Sequence, residues 1–243
     1  MAQKVAPIKE ESFFSEELGE EVSLLMYLPT SFSPLSHHHL LIAQDGGDYF
    51  KLGRIARFVE ELTEQQTIED LIVVGIPYKD IQDRRRKYHP DGSQFNSYIR
   101  FLAHELIPVL EERFPLLPIG RGRALIGDSL AATVSLMAAL YYPHTFGKVI
   151  MQSPYVDEKV LEAIDAFSQP SLLSIYHQIG KQETAVKTTD GKIIDFYTIN
   201  QKLHEQMVHK GFECIYEEFD GDHRWTYWQP LLKDILKKMF AVS

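Results

Sequence analysis

Hydrophobic positions fall into short, nearly unbroken apolar runs, separated by longer stretches in which apolar residues return every three or four positions. The runs predict β-strands over 21–29, 40–45, 71–78, 124–128, 148–154, 172–180 and 213–220. The periodic stretches predict helices near 51–62, 97–113, 130–142, 158–167, 195–210 and 228–240. Runs such as LLIAQ and LIVVG show no polar alternation, the mark of strands covered on both faces. Strand and helix in alternation therefore predict an α/β fold with a mostly parallel central sheet and helices on both faces. Ahead of this pattern, SFFSEELGEEVSLLMYLP reads as an antiparallel N-terminal hairpin turning at Leu18-Gly19. The 243 residues suffice for one sizeable core and no linker or repeat divides them, so a single domain over 1–243 is expected.

Charge narrows the classes of partner. With 34 acidic against 25 basic side chains, a formal net charge of -9, the chain lacks the basic footprint of a nucleic-acid or anionic-membrane binder. No apolar run approaches the ~18 residues of a membrane span, and the N-terminus lacks the apolar core of a secretory signal, so a cytoplasmic location is expected. The sole cysteine, Cys214, excludes an intrachain disulfide and leaves no cysteine-based zinc cluster; it reads as a buried strand residue. The basic run DRRRKYH, Asp83 to His89, reads as a solvated loop, with anion contact as the minority alternative. His37, His38 and His39 are consecutive in an extended segment and point alternately to opposite sides, so they read as a polar loop. Neither a metal nor a cofactor is expected.

In open sheets of this class, ligands bind beyond the carboxyl ends of the strands. The polar residues just after the predicted strands are Asp45-Gly46-Gly47, Tyr78, Ser129, Ser153, Glu183 and His223. Ser129, in ALIGDSLAA, sits where a strand runs straight into a helix: a helix N-cap in one reading, a nucleophile on a tight turn in the other. A serine nucleophile needs a neighbouring base and donors for the oxyanion that forms after attack. His223, past the last strand, is the candidate base. Glu183 is the first candidate for the acid that orients it, with Asp190 and Asp195 in the following loop as alternatives. The N–H groups of Leu130 and Gly47 are the candidate oxyanion donors, with Gly46 shaping the turn.

Five segments, LLIAQDGGDYF, VVGIPYKDIQDRRRKYHP, LIGDSLAA, IGKQE and DGDHRWTYW, follow one another between Leu40 and Trp228. In this combination and order the chain resembles the esterase D branch of the α/β-hydrolases, which includes S-formylglutathione hydrolases, feruloyl esterases, enterochelin-type siderophore esterases and mycolyltransferases. The resemblance implies the α/β-hydrolase fold, Ser129 as nucleophile, His223 as general base and acid, Glu183 as orienting acid, and Leu130 and Gly47 as oxyanion donors. It also implies that one of Arg84, Arg85 and Arg86, together with Tyr88, braces the oxyanion loop by pairing with Asp45 or Asp48. Two departures stand out: Ala131 occupies the position where the commoner Gly-x-Ser-x-Gly motif has its last glycine, and TAVKTTDGKII follows the acid turn as an extra stretch.

Candidate substrate contacts are Asp45, Gly46, Arg85, Tyr88, Tyr155 and Trp225, whereas Trp228 reads as the first buried residue of the last helix. The expected activity is cofactor-free hydrolysis of a small-molecule ester or thioester through an acyl-enzyme. The alternatives are acyl transfer to an alcohol by the same groups, or a silent hydrolase fold that serves as a binding module. An apolar edge strand offers a way to pair two copies as a homodimer.

Overall fold

The computed structural model describes residues 5–242. Its centre is an eight-stranded sheet in the order β1-β2-β4-β3-β5-β6-β7-β10. β1 (Lys9–Ser15) and β2 (Glu20–Tyr27) form the N-terminal hairpin, and β2 joins β4 (Leu71–Ile76) antiparallel. From there the ladder is parallel through β3 (His39–Gln44), β5 (Arg123–Asp128), β6 (Lys148–Gln152), β7 (Ser174–Gly180) and β10 (Glu213–Phe219). Every residue of β4 and β5 is buried, including the polar ends of β5, Arg123 and Asp128, as the apolar run within each strand predicts.

Helices cover both faces, and the strands divide their side chains between two cores. Leu40 and Ile42 of β3 face one core, Leu41 and Ala43 the other. The smaller core lies under α1 (Gly46–Lys51), α2 (Ile55–Glu64) and α9 (Trp225–Phe240). The larger lies under α4 (Phe95–Arg100), α5 (Ile107–Arg113), α6 (Leu130–Tyr141), α7 (Glu158–Ala166) and α8 (Phe196–Lys210). After β3 the chain moves to β4 on one side, and after β5 it moves to β6 on the other. The order of strands therefore reverses between the neighbours β3 and β5, and a crevice opens at their carboxyl ends. Asp45 and Ser129 stand at those two ends.

Four details depart from the sequence reading. The helix expected over 51–62 is two helices, α1 and α2, broken at Leu52–Arg54 by a left-handed Arg54. The DRRRKYH run is not a loop but α3 (Ile81–Tyr88), whose first turn is capped by the Asp80 carboxylate accepting from the Asp83 N–H at 2.7 Å. The helix expected over 97–113 is α4 and α5 joined by a π-helical turn, Phe101–Leu106. The extra stretch after the acid turn is a short antiparallel ribbon of β8 (Val186–Lys187) and β9 (Ile193–Ile194). No helix among the described residues is long and apolar enough to cross a membrane.

Candidate active site

Ser129 is the single residue between the end of β5 and the start of α6, with φ 54° and ψ -124°. A side chain other than glycine at positive φ costs about 1–3 kcal/mol and persists only where its surroundings enforce it. Here the Ser129 N–H donates to the Gln152 carbonyl at 2.9 Å, and its own carbonyl accepts from the Tyr155 N–H at 3.2 Å. The turn is tight because α6 lies on β5: a Cβ on Gly127 would stand 2.2 Å from the Ala131 carbonyl carbon. Ala131, whose backbone makes this contact, is itself fully buried. Ser129 thus opens onto the N-terminus of α6, where the Leu130 N–H has no partner within the helix.

His223 lies in the turn between β10 and α9, and its Nδ1 is 2.7 Å from Glu183 Oε2. Glu183 is fully buried just beyond β7, whereas the His223 side chain keeps 18% exposure. Two more donors meet the other carboxylate oxygen: the Ser153 hydroxyl at 2.6 Å and the Gly180 N–H at 2.9 Å. Ser153 in turn accepts from Trp228 Nε1–H at 3.0 Å. Since a carboxylate only accepts, Nδ1 carries the ring proton and Nε2 is left unprotonated in the neutral imidazole. The ring is walled edge-on by Phe196 at 4.7 Å and Trp228 at 4.9 Å. The other two carboxylates weighed for this role are engaged elsewhere. Asp190 is 3.5 Å from Arg85, and Asp195 caps α8 by accepting from the Thr198 N–H at 2.9 Å.

The loop after β3 is fixed from below. Asp45 is left-handed, with φ 54°, and buried. Arg84 Nε and Nη2 reach its Oδ2 at 2.8 and 2.6 Å, and Nη2 also donates to the Asp128 carbonyl at 3.2 Å. One guanidinium therefore bridges the loop after β3 and the elbow after β5. Burial alone would lower the Arg84 pKa, but the Asp45 carboxylate holds it above the usual arginine value. Tyr88 accepts from the Asp45 N–H at 3.4 Å. A Cβ on Gly46 would lie 2.4 Å from the backbone of Gly75, so only glycine lets α1 sit this close to β4. Gly47 follows in the first turn of α1, where backbone N–H groups lack helical acceptors.

Beside Ser129 and His223 opens a cleft of about 330 Å³, within the usual range for small-molecule sites, and Gly47 is not among the residues that line it. Ser129, Leu130, His223, Asp45, Arg85 and Tyr155 all line it, and the β8–β9 ribbon supplies much of its outer wall. Three of the candidate substrate contacts lie elsewhere. Tyr88 is buried under the loop after β3, Gly46 is wedged against β4, and Trp225 packs edge-on against Tyr49 at 4.9 Å, half-buried against the smaller core. Tyr88 and Trp225 are thus supports, because the helices carrying them turn their rings inward. Trp228 is buried, one turn inside α9, which begins at Trp225 and not at 228. Of the histidine triple, His38 Nε2 lies 2.8 Å from the Ser33 carbonyl, while His39 packs on Phe240 at 5.9 Å and burial lowers its pKa to about 4.

Sequence reasoning missed Asp128 and did not assign a role to Ser153. Asp128 lines the cleft beside Ser129 with its Oδ1 buried and without a partner among the described residues. Burial, and then the neighbouring Asp45 carboxylate, push its carboxyl pKa well above the ordinary value. The x position of Gly-x-Ser-x-Ala was the available signal. Arg84 and Arg85 differ sharply in surroundings, at 11% and 40% side-chain exposure. Arg84→Met is therefore expected to cost about 3–5 kcal/mol by leaving Asp45 buried without its cation. Arg85→Met should stay within about 0.5 kcal/mol, both read from urea unfolding.

The chain is similar to several known proteins. The Bacillus subtilis protein YjcH, described as uncharacterized, is 56% identical over 239 residues, covering 98% of this chain and 100% of that protein. The iron(III) salmochelin esterase of Escherichia coli O6:H1 is 24% identical over 229 residues, covering 89% of this chain and 54% of that protein. The enterobactin esterase of Shigella flexneri, in a crystal structure with enterobactin, superposes with a TM-score of 0.80 at 20% identity. That match covers 96% of this chain and 58% of the esterase, so this chain spans little more than half the length of those two esterases. A family model described as "Putative esterase" matches residues 15–239, nearly the whole chain. The chain accordingly belongs to that esterase family, a family of carboxylic ester hydrolases with the α/β-hydrolase fold.

Proposed function

We propose that the protein cleaves carboxylic esters or thioesters through an acyl-enzyme on Ser129. The observation that carries this reading is the 2.7 Å contact between His223 and the fully buried Glu183 at a cleft which Ser129 also lines, from a backbone conformation serine rarely adopts. In the first half-reaction, His223 Nε2 takes the Ser129 hydroxyl proton as Oγ attacks the substrate carbonyl. Glu183 holds the Nδ1 proton and steadies the imidazolium. The Leu130 and Gly47 N–H groups donate to the oxyanion, which lies at the N-termini of α6 and α1. The imidazolium then gives its proton to the departing alkoxide or thiolate. In the second half-reaction, water attacks the acyl-enzyme with His223 again as base, and the acid departs.

The cleft volume suits a small ester, and the likeness to salmochelin and enterobactin esterases makes a siderophore lactone one member of the substrate class to assay beside short acyl esters. A fluorophosphonate probe followed by peptide mass mapping tests the chemistry without knowledge of the substrate. The expected product is a single phosphonyl group on the peptide that carries Ser129. Labelling at another serine, or a folded chain that stays unlabelled, would sink the proposal, and the second outcome would favour a silent binding module.

A further inference from the structure

Away from the cleft, the fold gathers three metal-ligating side chains that the hydrolase chemistry does not use. His177 is on β7, Cys214 on β10 and His204 on α8. The parallel register pairs Ile175 with Cys214 and His177 with Tyr216, so His177 and Cys214 sit on one face of the sheet, on adjacent strands. α8 crosses that face and brings His204 down to stack on Tyr216, with ring centroids 4.0 Å apart. The Cys214 Sγ is 3.9 Å from His204 Nδ1, and one ligand atom from each of the three residues lies within 4.8 Å of the others.

The protonation state of His177 follows from its neighbour. The Asn200 amide nitrogen donates to the carbonyls of Pro154 at 3.0 Å and Phe196 at 2.8 Å, which fixes the amide and leaves Oδ1 as an acceptor. His177 Nε2 is 2.8 Å from that Oδ1 and must carry the proton. Nδ1 is then a bare lone pair, and it is fully buried with no hydrogen-bond partner among the described residues. A buried ring nitrogen left in this condition is uncommon, since such groups are nearly always satisfied. An imidazole whose second nitrogen is held by an amide oxygen matches the way proteins orient metal-bound histidines.

We propose that His177, His204 and Cys214 bind a zinc ion through two imidazole nitrogens and one thiolate, with a fourth position open to water. One sulfur and two imidazoles form a borderline-soft set suited to Zn²⁺. Bond lengths of about 2.0–2.3 Å in tetrahedral geometry need ligand atoms roughly 3.3–3.8 Å apart, so the three groups need only small shifts. Binding replaces the thiol S–H with a Zn–S bond and releases one proton to solvent. The expectation that one cysteine leaves no cysteine-based cluster counted sulfurs alone; the crossing of α8 over β7 and β10 supplies the nitrogens. The ion staples α8 to the sheet, and α8 carries Phe196, whose ring walls His223 and whose N–H donates to the Glu183 carbonyl at 2.9 Å. The other triple of potential ligands, His89, Asp91 and Asp157, is already engaged: His89 Nδ1 accepts from the Asp91 N–H at 3.0 Å, and the Asp91 carboxylate pairs with Lys159.

The test is metal titration of the chelator-stripped full chain. Co²⁺ should bind at one equivalent, with an intense thiolate-to-cobalt charge-transfer band and the d–d bands of a tetrahedral site, and Zn²⁺ should displace it. Cys214→Ser should abolish the charge-transfer band and weaken Zn²⁺ at least tenfold, and His204→Ala should weaken Zn²⁺ by a similar factor. The Zn²⁺-dependent rise in Tm should disappear in both. Neither side chain lines the cleft, so turnover of a short acyl ester reports that each variant is folded. No stoichiometric Co²⁺ binding, or Zn²⁺ affinity unchanged in either active variant, would overturn the site; the second result would move the metal to a surface cluster such as His89 and its neighbours.

Discussion

Ser129→Ala is expected to lower kcat for a short-acyl chromogenic ester by about 10⁴-fold or more, the scale on which hydrolases lose turnover when the nucleophile is removed. Stability should hardly change. The serine hydroxyl makes no capping hydrogen bond to α6 among the described residues, and alanine inherits the same left-handed φ of 54°. The Gln152 and Tyr155 backbone contacts that enforce the turn remain. A residual rate above that of water alone is expected, because the Leu130 and Gly47 N–H groups remain to polarise a bound carbonyl. Steady-state kinetics beside urea unfolding separates the effects, and a Ser129→Ala chain that keeps more than a tenth of wild-type kcat would rule out the covalent route.

The elbow was legible because its causes are local. An apolar strand, then a glycine, a serine and a small residue at every second position, 127, 129 and 131, are enough to specify a strand packed tightly on the helix that follows. The sheet was legible for a related reason, since strands buried on both faces must be apolar throughout. The bracing arginine was not. Arg84, Arg85 and Arg86 are adjacent and chemically identical, and only the rotation of α3 selects Arg84, one turn from both Asp80 and Tyr88, to face inward. That rotation is set by packing against α4 and α6, which no local pattern announces. Ser153 is a stronger case: it meets Glu183 across 30 residues and Trp228 across 75, so its role exists only in the folded chain. The β8–β9 ribbon did carry a signal, an Asp190-Gly191 pair near β-branched residues, which is a recognised hairpin turn sequence.

Glu183→Gln carries the second large effect, and its direction follows from hydrogen-bond polarity more than from charge. Glutamine is nearly isosteric, so its amide oxygen can keep the Ser153 hydroxyl and the Gly180 N–H, which both donate to one carboxylate oxygen in the wild type. The NH₂ group is then turned toward His223 Nδ1, which must become the acceptor. The ring proton moves to Nε2, the nitrogen that the proposed mechanism requires to be bare to receive the Ser129 proton. A loss of about 10⁴-fold in kcat is expected with the fold intact, the size seen when a triad acid is made an amide. Asp190→Asn should leave kcat within a few fold, since Asp190 meets Arg85 and Lys192 on the outer wall and not the imidazole. Asp195→Asn should behave similarly, because asparagine also caps helices well and the α8 N-terminus would keep an acceptor. The ordering of the three variants decides the assignment: if either aspartate variant lost more turnover than Glu183→Gln, the imidazole would be taking its orientation in the working enzyme from the loop after the acid turn.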